Sequence, residues 1–250
     1  MTTGPRAAHL NQTEGPVELS VIIPAFNEAL GVEAALRRYD EVLAHLPISY
    51  EILLIDDGSK DDTFVAAEGV ARVNRRVKVL RNEENTGQVS CILQGFAVAS
   101  GSVLLHNGAD LPLAPEDTWE LSKLWRNGAD VIVVERESRY AYGTGRRVMS
   151  WLNVLLVRLL IRSPVSDHNF AQVYRREVIE QLNVETRGVS TVTTELIVKA
   201  ARAGFEVTAV SLPYHARVSG ESTIDLAKTA HSIWELLRLA WLLRSRPTRR

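Results

Sequence analysis

From Glu51 to Thr63 the chain reads EILLIDDGSKDDT. The apolar stretch Glu51 to Ile55 is strand-like and stops at Asp56-Asp57-Gly58-Ser59, a turn signal. Asp61-Asp62-Thr63 then opens a helix. Upstream, Leu19 to Pro24 (LSVIIP) is a continuous apolar run with β-branched residues, as expected of a strand buried on both faces. A helical pattern from about Glu28 to His45 joins the two. Downstream, strands are expected at Val77 to Leu80, Val103 to Leu105 and Asp130 to Val134. Helices are expected at Gly87 to Ala99 and at Pro115 to Trp125, the latter with proline near its first turn. Crossovers of roughly 15–20 residues make these βαβ units, so an α/β fold with a mostly parallel sheet follows.

The rhythm changes after Glu135. A polar stretch, RESRYAYGTGRR, leads to an expected helix from Val148 to Ile161. A short strand follows at Gln172 to Tyr174, with helices at Glu177 to Leu182 and Thr194 to Ala203. A strand at Val207 to Val210 and a last helix from about Ile224 to Leu243 complete the chain. This divides it into a flexible lead-in (1–17), an α/β domain (18–222), and a C-terminal amphipathic helix with a basic tail (223–250).

Composition sets limits on function. The 250 residues are 46% hydrophobic and 24% charged, a globular balance that excludes disordered and collagen-like chains. Lysine and arginine number 29 against 30 acidic residues, giving a net charge of -1. A nucleic-acid partner would call for a basic face and is not expected. The single cysteine, Cys91, lies in an apolar run where it reads as core, and it points to a reducing compartment. Met1 to Pro16 is polar and lacks the apolar stretch of a signal peptide. Trp151 to Ile161 and Ile233 to Leu243 are each interrupted by arginine and fall short of the ~18 apolar residues that span a bilayer. The expectation is a cytoplasmic protein, peripheral on the inner face of a membrane if it meets one.

In an open parallel sheet the ligand lies at the carboxyl ends of the strands. Those ends carry Pro24-Ala25-Phe26-Asn27-Glu28, Asp56-Asp57-Gly58-Ser59, Asn82 to Gly87, and His106-Asn107-Gly108-Ala109-Asp110. They are polar, turn-forming and rich in carboxylates. Neither G-x-G-x-x-G nor G-x-x-x-x-G-K-[ST] follows the first strand, which disfavours dinucleotides and P-loop hydrolysis. A mononucleotide held by carboxylates remains.

SVIIPAFNE, EILLIDDGSKDDT, RNEENTGQ and GADL stand in the order and spacing of the family 2 glycosyltransferases, which the chain resembles over roughly residues 18 to 225. RRVMS at 146–150, DHNFAQVYRREVIE from Asp167 and HARVSGES from His215 resemble the polyprenyl-phosphate branch typified by dolichol-phosphate mannose synthase. The resemblance implies a GT-A fold. It also implies inverting transfer from a UDP- or GDP-sugar to a polyprenyl phosphate. The alternatives are a soluble polysaccharide or small-molecule acceptor, or a non-catalytic nucleotide-sugar binding protein.

Residue by residue, the resemblance assigns Pro24, Ala25, Asn27 and Glu28 to the first nucleotide-contacting loop. Asp57, with Asp56 beside it, reads base or ribose, and Gly87 lets the backbone approach the donor. Asp110 is the last carboxylate of a D-x-D that holds a divalent cation, Mg or Mn, on the donor diphosphate. Arg146, Ser150 and Arg217 match positions that contact phosphate of donor or acceptor, work that suits a planar guanidinium. Asp167 is either an acceptor-side base or the ion-pair partner of Arg175 or Arg176. Glu195 matches a carboxylate near the acceptor, or is simply favoured at a helix start.

The sequence departs from the family at Gly108 and Pro112, which replace two expected metal ligands. Asn107 or His106 would then substitute, or Asp110 would act with donor phosphate and water, or arginines would replace the metal. His106 and His215 otherwise read as packing residues. Trp151, Leu155, Leu156, Leu159 and Leu160 form one apolar face, flanked by Arg158 and Arg162. Trp234, Leu237, Trp241 and Leu242 form another, followed by RSRPTRR. Such faces suit either core or homodimer packing, or an anionic membrane surface.

Overall fold

The computed structural model describes residues 6–8, 16–136, 161, 163, 165, 170–213 and 226–245. Among these residues eight strands form one sheet in the order β1-β4-β3-β2-β5-β7-β6-β8. They are β1 (Arg6–Ala8), β2 (Leu19–Ala25), β3 (Tyr50–Asp56), β4 (Val77–Arg81), β5 (Val103–His106), β6 (Val131–Arg136), β7 (Gln172–Arg175) and β8 (Val207–Leu212). The helices are α1 (Val32–Leu43), α2 (Thr63–Val73), α3 (Gln88–Val98), α4 (Thr118–Arg126), α5 (Arg176–Gln181), α6 (Val189–Ala203) and α7 (Leu226–Ser245).

The parallel core is the one expected. β2 pairs in parallel with β3 and β5, and β3 with β4. All seven residues of β2 and of β3 are buried, because helices cover both faces. Side chains alternate between two cores: Val21, Ile23, Ile52 and Leu54 pack with α1, α2 and α4, while Ile22, Leu53 and Ile55 pack with α3 and α6. On α1, Val32, Ala35, Leu36, Tyr39 and Leu43 form the inward stripe.

Three features differ from the sequence reading. α1 begins at Val32, not near Glu28, because Asn27 takes a left-handed φ of 56° and Glu28 to Gly31 form a separate turn. Within the expected lead-in, Arg6–Ala8 pair antiparallel with β4. β7 is antiparallel to both neighbours, β5 and β6, and β6 then pairs in parallel with β8. α7 lies on α6 through a small apolar cluster of Leu236, Leu239, Ala240 and Leu243 with Val198 and Ile161. The expected helix from Val148 lies outside the described residues except for Ile161.

Candidate active site

A cleft of about 500 Å³ opens where the loops after β2, β3, β4 and β5 converge. Pro24, Ala25, Glu28, Asp57, Gly87 and Asp110 line it, so six of the expected nucleotide-contacting residues are brought together. Their convergence follows from the register. Ala25 and Asp56 are Cα partners at the ends of β2 and β3, and Ile22 stands opposite His106 on β5.

Asp57 ties two of these loops together. Its Oδ1 accepts the Thr86 N–H at 2.8 Å, the Thr86 hydroxyl at 2.8 Å and the Asn82 amide at 3.1 Å. Its Oδ2 accepts the Gly87 N–H at 2.8 Å. Oδ1 thus carries three donors and Oδ2 one, which leaves acceptor capacity on Oδ2. Burial works to raise the pKa of this carboxyl, but the donors from Thr86, Asn82 and Gly87 outweigh it and hold the group below the ordinary carboxylate range. Gly87 has φ 90°, a left-handed region that favours glycine, and nothing lies within 4 Å of where its Cβ would be. A ligand can therefore approach the backbone closely there.

Asp56 and Asn27 are placed otherwise than expected, since neither lines the cleft. Asp56 is fully buried, accepts the Ser59 N–H at 3.2 Å and pairs with Arg81 Nε at 3.2 Å. Asn27 donates its N–H to Ser59 Oγ at 3.0 Å and accepts the Lys60 N–H at 2.9 Å. Both residues shape the loops that carry their neighbours into the cleft.

In the loop after β5, Asn107 and His106 are both held by bonds within the fold. Asn107 is buried, and its amide donates to Tyr39 Oη at 2.6 Å and to the Leu113 carbonyl at 2.8 Å. Its Oδ1 accepts the Leu113 N–H at 3.3 Å. Asn107 thus staples the loop from within the cleft lining. His106 is buried, with Nε2 bonded to Gln172 Oε1, and burial lowers its pKa to about 4. Its Nε2 is likewise taken. The Leu111 N–H bonds to the Gly108 carbonyl at 3.1 Å, and the turn folds the Asp110 carboxylate over the open face of Gly108. A Cβ at position 108 would collide with Asp110 Oδ1.

Among the described residues no three acidic, histidine or cysteine side chains gather as a metal site. A cage made wholly of protein ligands is therefore not formed by them. A hard cation held through Asp110, substrate phosphate and water fits this donor set, because magnesium commonly binds through one or two carboxylates and a diphosphate.

The sequence reading passed over Arg136 and Phe170, both of which line the cleft. The Arg136 guanidinium lies 5.7 Å from the Phe170 ring centroid. The strand-end rule applied to β6 as well would have found Arg136, its last residue. Arg146, Ser150, Asp167, His215 and Arg217 lie outside the described residues. Of the partners considered for Asp167, Arg175 pairs with Asp130 at 3.1 Å, and Arg176 donates to the Ala99 and Gly101 carbonyls.

Glu195 is not at a helix start. It sits in the second turn of α6, fully buried, and accepts the N–H groups of Glu185 and Thr186 and the Thr186 hydroxyl. Lys199 pairs with it at 2.6 Å. These contacts make it a clamp on the segment before α6. Cys91 is buried core, as expected.

On α7, Trp234, Leu237 and Trp241 are 55%, 51% and 65% exposed and form an outward stripe. Leu242, expected on the same face, is buried instead. None of the helices among the described residues is long and apolar enough to cross a membrane.

The family model for glycosyl transferase family 2 matches residues 20–182. Dodecaprenyl-phosphate galacturonate synthase of Rhizobium johnstonii is 27% identical over 93% of this chain and 70% of its own length. Dolichol-phosphate mannosyltransferase of Pyrococcus furiosus is 31% identical over 89% of this chain and 62% of its own. The chain spans as little as 39% of other curated relatives it matches. The solved structure of glucosyl-3-phosphoglycerate synthase from Mycobacterium tuberculosis, in complex with Mn2+, UDP and phosphoglyceric acid, superposes with a TM-score of 0.69. It is 19% identical and the match covers 90% of this chain and 78% of that one, a likeness of fold.

Proposed function

This chain belongs to glycosyltransferase family 2, and from that premise we propose that it moves a sugar from a UDP- or GDP-sugar to a polyprenyl phosphate with inversion at the anomeric carbon. The observation that carries the donor half is the meeting of Asp57, Gly87 and Asp110, from three separate loops, in one cleft at the strand ends. The acceptor half is supported by the relatives named above, whose names specify dodecaprenyl and dolichol phosphate.

In this reading an acceptor phosphate oxygen attacks the anomeric carbon, the bond to the diphosphate breaks, and the nucleoside diphosphate leaves. Phosphate is ionised at neutral pH, so positioning matters more than a strong base. Asp57 holds the Asn82 to Gly87 loop against the nucleotide, and the Gly87 backbone lies along it. Arg136, steadied on Phe170, offers a guanidinium to phosphate oxygens. Arg146, Ser150 and Arg217 extend that phosphate-binding set, with Asp167 on the acceptor side. Asp110 would hold a divalent cation, which when bound neutralises charge on the departing diphosphate. The unit that does this is residues 18–222. The α7 stripe and the basic tail would lay it on an anionic membrane surface, where the lipid acceptor resides.

Thermal shift with UDP- and GDP-sugars, with and without Mn2+ or Mg2+, tests the donor half, because a ligand that binds only the folded state raises the melting temperature. Incubation with labelled donor and a polyprenyl phosphate, followed by organic extraction, tests the acceptor half. Label left wholly in the aqueous phase, with transfer to a soluble acceptor, would establish the second reading. That reading is favoured by the phosphoglyceric acid named in the solved structure. Donor binding without transfer to any acceptor would establish a binding protein, a role the departures at Gly108 and Pro112 make worth testing.

A further inference from the structure

Beside the cleft lies a cavity of about 80 Å³ between the sheet, α3 and α6. It shares Gln88, His106 and Phe170 with the cleft lining, so the two spaces adjoin across these side chains. Its other walls are mostly apolar: Val89, Ile92 and Phe96 from α3, and Val192 and Leu196 from α6. Tyr174 of β7 and Thr193 of α6, each bearing a hydroxyl, complete the lining. Tyr174 is fully buried and Thr193 is 7% exposed, yet neither Tyr174 Oη nor Thr193 Oγ1 has a hydrogen-bond partner among the described residues.

An orphaned buried hydroxyl is costly and rare. Packing does not require either one. The Tyr174 ring meets Phe96 edge-on at 5.7 Å, a contact phenylalanine would make equally well. Valine would fill the place of Thr193. Two such groups around one space beside the donor cleft ask for a ligand atom.

We propose that this cavity is a specificity pocket for a short acylamino substituent on the transferred sugar. The inference rests on the nucleotide-sugar reading above. The group's carbonyl would accept from one hydroxyl and its N–H would donate to the other. The walls would cover its apolar end. Size supports this choice, since at ~30 Å³ per water-sized group the space holds about three, more than a lone hydroxyl fills. Charge supports it too: the lining carries no ionised side chain, His106 being kept neutral by burial, so a carboxylate would sit unpaired.

The test uses the full chain and calorimetry. Bare UDP and GDP are titrated first. On whichever base binds, glucose is then compared with N-acetylglucosamine, and a 4-formamido sugar with its 4-hydroxy counterpart. At least one acylamino form should bind tenfold or more tighter than its hydroxy partner. Tyr174→Phe and Thr193→Val should each cut that preference by threefold or more, measured against affinity for the bare nucleoside diphosphate. Neither variant should lower the melting temperature, because each removes an unpaired buried group. Equal affinity for acylamino and hydroxy sugars would mean that water alone satisfies the hydroxyls, and the assignment would be wrong. An equal loss for sugar and bare nucleotide would overturn it as well. If neither UDP nor GDP binds, the donor reading itself has failed and this pocket falls with it. Binding of the nucleotide without the preference defeats only the pocket.

Discussion

The Gly87 N–H donates to Asp57 Oδ2 at 2.8 Å, joining the turn after β3 to the first residues of α3. With the bonds from Thr86 and Asn82, it makes a loop carboxylate into the anchor of the donor-side wall. Asp57→Ala would leave these donors without their acceptor. The expected result is a loss of ~1–3 kcal/mol of stability together with most of the donor affinity. Chemical denaturation and calorimetry on one preparation check both. Weakened donor binding at unchanged stability would show that the carboxylate serves the ligand and not the loop.

The folded-back Asp110 makes Gly108 a sensitive position. Gly108→Ala places a methyl group where Asp110 Oδ1 lies, so the carboxylate must swing away. Mn2+ should tighten donor binding in the wild type and do so far less in Gly108→Ala and Asp110→Asn. Titrating the donor with and without EDTA measures this. An undiminished effect of Mn2+ in Asp110→Asn would remove Asp110 from the metal reading.

Glu51 is fully buried and meets Lys78 at 2.6 Å and Ser20 Oγ at 2.6 Å. Burial pushes its carboxyl up, but Lys78, Ser20 and the Ser100 N–H outweigh that and set it below the ordinary value. Asp57 and Glu195 are lowered likewise. A carboxyl whose folded value is depressed stabilises the fold above its unfolded value of ~4, and that contribution disappears as pH falls through the folded value. The melting temperature should therefore hold between pH 7 and about 5 and drop below that. Glu51→Gln should flatten the drop and cost ~3–5 kcal/mol at neutral pH, because Lys78 loses its buried partner. An equally steep acid limb in the variant would assign the effect to other groups.

The outward stripe of α7 predicts binding to vesicles of anionic phospholipid. Each exposed tryptophan should contribute ~1–2 kcal/mol through apolar burial, so Trp234→Ala and Trp241→Ala should each weaken co-sedimentation about tenfold. Salt should weaken it further by screening the arginines. Binding that the substitutions leave untouched would make the stripe a contact between two copies of the chain, which sedimentation equilibrium detects.

Cys91 has its thiol pushed up to about 12, first by burial and then by the nearby Asp57. As the thiolate is the reactive form, a disulfide reagent at pH 8 should modify the folded protein negligibly and the denatured protein at once. Fast labelling under native conditions would mean that α3 opens readily.

Strand positions were legible because burial on both faces forces continuous apolar runs, as in Ile52 to Ile55 and Val21 to Ile23. The direction of β7 was not, since four residues carry no mark of which neighbour they will face. In the site, the cleft-lining carboxylates Asp57 and Asp110 could be read from their place after a strand. What Asn107 and Asp56 do could not, because their partners Tyr39 and Arg81 come from elsewhere in the chain and only folding brings them close. Leu242 was misplaced for a similar reason: an apolar residue reads the same on either side of a helix until its neighbour is known.

The placement of β7 between β5 and β6 governs the order in which the molecule can assemble. β2, β3 and β4 pair through local crossovers and can form as soon as that stretch of chain is available. β6 has no direct pairing with β5; it joins only after Gln172 has come to lie opposite His106, 66 residues away. Pairings this far apart in the chain close later than those among β2, β3 and β4, because the entropy of closing the loop is lost before any contact repays it. The sheet should therefore fold in two kinetic stages, with amide protons of β2 and β3 protected from exchange well before those of β6 and β8.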